Sequence, residues 1–204
     1  MPMSPRIRKF ALTAHVTASV GWLGAVAVFL ALALSGLMNA RAHAVQAAYV
    51  AMEVSTWFVI VPLALACLLT GLVQGLGTSW GLFRHYWVVA KLLLNVVATV
   101  LLLLHTQPIS RVAAAAAAGP LAAADLRQVR VQLVADAVLA LLALIVATTL
   151  SVYKPWGMTP YGKRGQQEWI AATPLWVKVS GLIALAFVLL VAILHLTGHG
   201  LGGH

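Results

Sequence analysis

From Phe10 to Ala40 the chain carries no Lys, Arg, Asp or Glu. A helix in water needs a polar face, and this stretch has none. Hydrocarbon is its natural solvent, and there every backbone N–H and C=O must be paired within the helix itself. Four further runs have almost the same character. Of 204 residues 62% are hydrophobic and 8% charged, against roughly 25% charged in a soluble domain. The mean hydropathy is +0.98. The chain therefore reads as an all-α, polytopic transmembrane bundle of about five helices. Residues 1–204 form a single domain, with spans about 10–38, 55–77, 86–106, 131–153 and 176–198, each near the ~20 residues that cross a bilayer.

The first span has a basic start (Arg6, Arg8, Lys9) and a small-residue stretch at Ala42-His43-Ala44, as a signal peptide would. Its apolar run is too long for a signal core, so it reads as a retained helix. Pro62 predicts a kink in the second span. Gly71 and Gly75, in GxxxG spacing, offer that helix a close-approach face for a homo- or hetero-oligomer.

Thirteen basic residues against four acidic ones give a formal charge of +9. The basic residues stand at the ends of apolar runs, so they read as topology signals rather than a nucleic-acid surface. With the N-terminus cytoplasmic and the C-terminus outside, nine fall on the inner side: Arg6, Arg8, Lys9, Arg84, Lys91, Lys154, Lys163, Arg164 and Lys178. Four fall on the outer side: Arg41, Arg111, Arg127 and Arg130. Trp80, Phe83, Trp87, Tyr153, Trp156, Trp169 and Trp176 crowd the inner edge as an aromatic belt. The lone Cys67 excludes an internal disulfide or a CxxC site and reads as a small buried hydrophobe.

Ionisable groups at membrane depth are costly and tend to mark function. His15 and Lys91 each lie about five residues inside their spans, roughly 7–8 Å deep at 1.5 Å per residue. Asn95 follows Lys91 by one turn on the same face, and His85 stands near the mouth of this level. A neutral imidazole can ligate haem iron, and a Lys can bind a propionate or another anion. The plainer alternatives are a snorkelling Lys and a His bonded to a neighbouring helix. Glu53, His105, Asp136 and His195 form a second set near the outer helix ends. They suit a metal site, a proton path, a second haem site on His105 and His195, or simply solvated ends. His195 and His199 have i,i+4 metal spacing, but the glycines around them predict fraying. No nucleotide loop, GxSxG, HExxH or lipidation motif is present.

The first helix reads HVTASVGWLGAV and the third HYWVVAKLLLNVVATVLLLLH. This pattern resembles the small membrane proteins of the HemJ type, which act as protoporphyrinogen oxidases, and of the CopD copper-resistance type. The resemblance implies haem- or porphyrin-contacting roles for His15 and Lys91 and, on a looser match, His105, with haem b as cofactor. The exit LSGLMNARAH departs from the HemJ pattern. The loop SVYKPWGMTPYGKRG, with Gly21-Trp22, resembles an uncharacterised bacterial family of integral membrane proteins. That implies the bacterial cytoplasmic membrane and no established activity. Three expectations stand together: a haem-binding or redox-linked bundle on His15 and Lys91, with Gly21 and Gly24 making room for a flat ring; metal or proton transport along Glu53, His105, Asp136 and Lys91; and a non-enzymatic accessory subunit. An enzyme of this type would be a membrane oxidoreductase acting on porphyrin or haem.

Overall fold

The computed structural model describes residues 4–77, 82–118, 126–154 and 157–163. Four helices in it are long and apolar enough to cross a membrane: α1 (Pro5–Met38), α2 (Ala42–Gly77), α3 (Tyr86–Ala118) and α4 (Arg127–Tyr153). A single turn, α5 (Pro160–Lys163), follows. The expected fifth span, 176–198, lies outside the described residues, and His195 and His199 with it.

Short connections make consecutive helices antiparallel neighbours. α1 packs on α2 and α4, and α3 packs on the same two. The result is a square four-helix bundle with α1 diagonal to α3. It has two ends, one marked by His15 and Lys91 and the other by His105 and Arg130. On α1 the buried residues Ala11, His15, Ala18, Trp22, Val26, Phe29, Ala33 and Gly36 fall three or four apart, one stripe of a 3.6-residue helix. Large apolar residues on the other faces, such as Val20, Val28, Phe58, Leu69 and Leu104, are exposed. Such a surface is costly in water and suited to lipid.

Two helices are longer than their apolar runs. α2 begins at Ala42 rather than near 55, because the Ala-rich segment before Glu53 has strong helix propensity despite its modest hydropathy. α3 runs past 106 to Ala118 with Pro108 inside it. Pro108 deprives the carbonyl four residues back of a donor. In the preceding turn the His105 and Thr106 side chains bond the carbonyls of Leu101 and Leu103.

Pro62 does not break α2. A π turn, Thr56–Ile60, precedes it, and the Val61 N–H bonds to the Thr56 carbonyl five residues back. This shifts the ladder just where the proline lacks its own donor. Gly71 and Gly75 face into the protomer rather than toward a partner. A β-carbon on Gly71 would stand 3.2 Å from His15 Cε1, and one on Gly75 would stand 2.6 Å from Leu82 Cδ2.

At the His15 end the chain after α4 folds back on the α2–α3 connection. Lys154 takes a left-handed conformation (φ 42°) that ends α4. His85 and Met158 then pair as an antiparallel bridge. The Thr159 N–H bonds to the Arg84 carbonyl at 3.0 Å, and the Thr159 hydroxyl donates to the Phe83 carbonyl. Phe83 and Tyr153 are exposed, as a belt requires, but Trp87 is buried and turns into the bundle. Trp80, Trp156, Trp169 and Trp176 lie outside the described residues.

Candidate functional site

His15 is buried on α1, and its ring is fixed by α2. Nδ1 lies 3.1 Å from the Cys67 carbonyl and 3.0 Å from Thr70 Oγ1. A carbonyl only accepts. The Thr70 hydroxyl spends its one proton on the Ala66 carbonyl at 2.6 Å. Both neighbours of Nδ1 are therefore acceptors, so Nδ1 carries the hydrogen and Nε2 keeps the lone pair. Thr70 and Gly71 explain this seat at sequence level. A threonine hydroxyl in a helix bonds back to the i−4 carbonyl, and a glycine beside it leaves room for an imidazole.

The ring borders a cavity of about 70 Å³ between α1, α2 and α3, whose walls include Cys67, Gly71, Trp87, Lys91 and Asn95. The sequence places His15 and Lys91 at equal depth; the structure also turns them, with Asn95, toward the same space. Lys91 holds its ammonium 5.5 Å from the centroid of the Trp87 ring, a cation–π contact. Among the described residues the acidic side chains are Glu53 and Asp136, and both sit toward the far end of the bundle. Glu53 precedes Gly71 by 18 residues, about 27 Å along α2. Asp136 precedes Leu150, near the close of α4, by about 21 Å. No described carboxylate reaches the Lys91 level.

Cys67 is buried against this cavity. The Ser19 hydroxyl donates to the His15 carbonyl at 2.7 Å, so it accepts from the thiol 3.2 Å away. Gln74 ties α2 to α1 through the Ala11 carbonyl at 3.0 Å. His85 does not line the cavity; its ring is tilted against Trp87 at 6.4 Å between centroids. Gly21 and Gly24 do not line it either. Gly21 faces Leu63 of α2, and nothing lies within 4 Å of a β-carbon on Gly24. Sequence reasoning missed Trp87 and Cys67. Both were within reach of it, since each stands one turn before a residue already singled out, Lys91 or Gly71.

At the opposite end the structure pairs two members of the second set. His105 Nε2 lies 2.9 Å from Asp136 Oδ2, bridging α3 and α4. Nδ1 of the same ring lies 2.7 Å from the Leu101 carbonyl. Glu53 does not join them, and among the described residues no three His, Cys, Asp or Glu side chains converge as metal ligands would. Between the two ends the bundle is apolar, with Trp22, Val26, Ile60, Ala64, Ala98 and Leu102 in or against its core. Buried Thr99 spends its hydroxyl on the Asn95 carbonyl.

Comparison of the chain with protein-family models, with curated proteins and with solved structures finds no match.

Proposed function

We propose that the protein is a membrane-embedded binding protein that receives the anionic head of an amphiphile in the cavity beside His15 and Lys91. One observation carries this reading. A half-buried ammonium borders a cavity and meets an aromatic face but no described carboxylate. A cation at that depth is expensive unless something compensates it. A carboxylate or phosphate on an apolar tail would do so, while the tail stays among the lipids. The Asn95 side chain supplies a neutral polar neighbour. About 70 Å³ suits a head of a few heavy atoms, since one water needs roughly 10–15 Å³ by the same measure. The excess of basic residues toward this end supports the reading that it faces the cytoplasm.

The test is native mass spectrometry of protein purified in mild detergent, comparing wild type with Lys91→Met. Wild type should retain an anionic amphiphile that the variant loses. Equal retention in both overturns the proposal.

A second reading rests on the His15 tautomer. A histidine that ligates iron commonly gives its other N–H to a backbone carbonyl, as His15 does to Cys67. A haem propionate is also an anionic head that Lys91 could meet. The residues suit haem b by chemistry, and a macrocycle would have to extend beyond the 70 Å³ of this cavity. A Soret absorption band lost in His15→Ala would favour this reading, and with it the redox role; colourless protein from haem-replete cells would end it. Transport draws less support, because the layer between the two ends is apolar. An accessory role would need a surface other than Gly71 and Gly75, which α1 and Leu82 already occupy.

A further inference from the structure

His105 makes two contacts that one neutral ring cannot satisfy together. The Leu101 carbonyl, 2.7 Å from Nδ1, only accepts. An ionised Asp136 also only accepts, and its Oδ2 lies 2.9 Å from Nε2. A neutral imidazole has one N–H, so one contact would set lone pair against lone pair. Asp136 Oδ2 is buried with no hydrogen-bond partner apart from this ring. Both contacts are satisfied together only when the pair holds one proton more than neutral imidazole plus carboxylate. That proton sits either on the ring, giving imidazolium and carboxylate, or on the carboxyl, which then donates to Nε2.

The position of the ring gives this proton a consequence. His105 forms part of the wall of two spaces. One is a vestibule of about 410 Å³ bordered by Gln107, Arg111, Leu126, Val129 and Gln132 of α3, α4 and the turn before α4. The other is an apolar core cavity of about 70 Å³ bordered by Trp22, Phe29, Ile60, Leu102 and Asp136. Asp136 borders the core cavity and its Oδ2 is buried, so the way to the vestibule runs through the His105 ring, which borders both spaces.

We propose that His105 and Asp136 form a proton-exchange site served from the vestibule, in which one proton held between Nε2 and Oδ2 keeps the vestibule and the core cavity apart. When that proton passes to vestibule water the pair goes from net charge zero to minus one. The one N–H left on the ring can then serve only one of its two acceptors; where it stays with the Leu101 carbonyl, lone pairs oppose at Asp136 and the link between α3 and α4 opens at this point. Among the described residues the following groups face the pair. From α3 comes Arg111 on the vestibule wall. From α4 comes the Gln132 amide, with Nε2 of His105 3.5 Å from its nitrogen. α1 and α2 present Trp22, Phe29 and Ile60, none of which titrates. Glu53 of α2 lines neither space and stands about 10 Å along the helix from Ile60. Arg130 is committed to Tyr49 and Gly36.

The experiment is nitrogen NMR of histidine-labelled full-length protein in lipid nanodiscs, followed across pH, with the His105 signals identified by their loss in His105→Gln. The expected result is a single-proton transition of the His105 ring. Asp136→Asn, which keeps the shape of the side chain and removes the adjacent charge, should change the midpoint of that transition. Above the transition the Trp22 indole N–H, identified with Trp22→Phe, should exchange with solvent at least about tenfold faster, as local opening requires. A His105 ring that stays neutral throughout, or whose midpoint is the same in Asp136→Asn, overturns the site. A transition without faster Trp22 exchange overturns the separation of the two spaces.

Discussion

The ring of Tyr49 lies where a side chain on Gly36 would stand: a β-carbon at position 36 would come within 2.7 Å of Tyr49 Cζ. Arg130 closes this contact from α4. Its Nε donates to the Tyr49 hydroxyl at 2.9 Å, Nη2 donates to the Gly36 carbonyl, and the guanidinium stands 5.5 Å from the Tyr49 ring centroid. Three helices meet at one buried phenol. Gly36→Ala should therefore cost about 1–3 kcal/mol, the usual range for overpacking a closed site, read as a lower unfolding temperature in detergent. Arg130→Lys should cost a similar amount, because one ammonium cannot reproduce the planar fork that reaches both oxygens. Unchanged stability in both variants would show that this junction does not hold the bundle.

Gly71 and Gly24 make a matched pair for separating binding from stability. A methyl at Gly71 presses on the His15 ring at 3.2 Å, while one at Gly24 meets nothing within 4 Å. Gly24→Ala should be neutral or stabilise by up to about 1 kcal/mol through lower unfolded-chain entropy. Gly71→Ala should tilt the imidazole off the Cys67 carbonyl and weaken retention of the bound amphiphile several-fold, with a smaller loss of stability. Retention equal to wild type in Gly71→Ala would mean that the seat of His15 is not needed for binding.

The spans were legible because hydrocarbon imposes a length and forbids charge, two properties that a run of residues displays openly. Helix ends were less so. Residues 42–54 and 107–118 join their helices through Ala-rich propensity and packing, which hydropathy does not register, and so both helices outrun their apolar cores. Depth was readable for His15 and Lys91 because the rise per residue is fixed. Rotation about each axis was not, which is why Gly21 and Gly24 suggested a ring site they do not border, and why Trp87 was assigned to the interface. The Gly36–Tyr49–Arg130 junction left no local trace. Its members are separated by up to 94 residues, and each alone looks like an ordinary glycine, tyrosine or loop-end arginine.

Gly162 fixes the return of the chain onto the α2–α3 connection. A β-carbon there would stand 2.5 Å from the Arg84 carbonyl, a backbone atom held in place by its bond from the Thr159 N–H. Gly162→Ala should thus release residues 157–163 from the connection rather than adjust within it. Trypsin should then cleave after Lys163 faster than in wild type, while the helical circular dichroism signal stays the same. A cleavage rate indistinguishable from wild type would show that the segment is held by other contacts.

Lys91 should carry a cost that its role explains. An ammonium about 7–8 Å inside the helix end loses part of its hydration, and the Trp87 face returns only a fraction of it. Translocon scales place a central Lys at about 2.5–3.5 kcal/mol. A shallow, half-buried one that can snorkel should cost on the order of 1 kcal/mol. Lys91→Met keeps the length and removes the charge, so delipidated variant protein should unfold at a higher temperature than delipidated wild type. Addition of an anionic amphiphile such as phosphatidic acid should reverse the order, stabilising wild type and leaving the variant unmoved, because only a cation gains from an anion at that position. The two halves of this result depend on each other. A variant more stable than wild type with and without the amphiphile would mean that the charge at position 91 compensates nothing, and that its depth in the bundle has some cause other than binding.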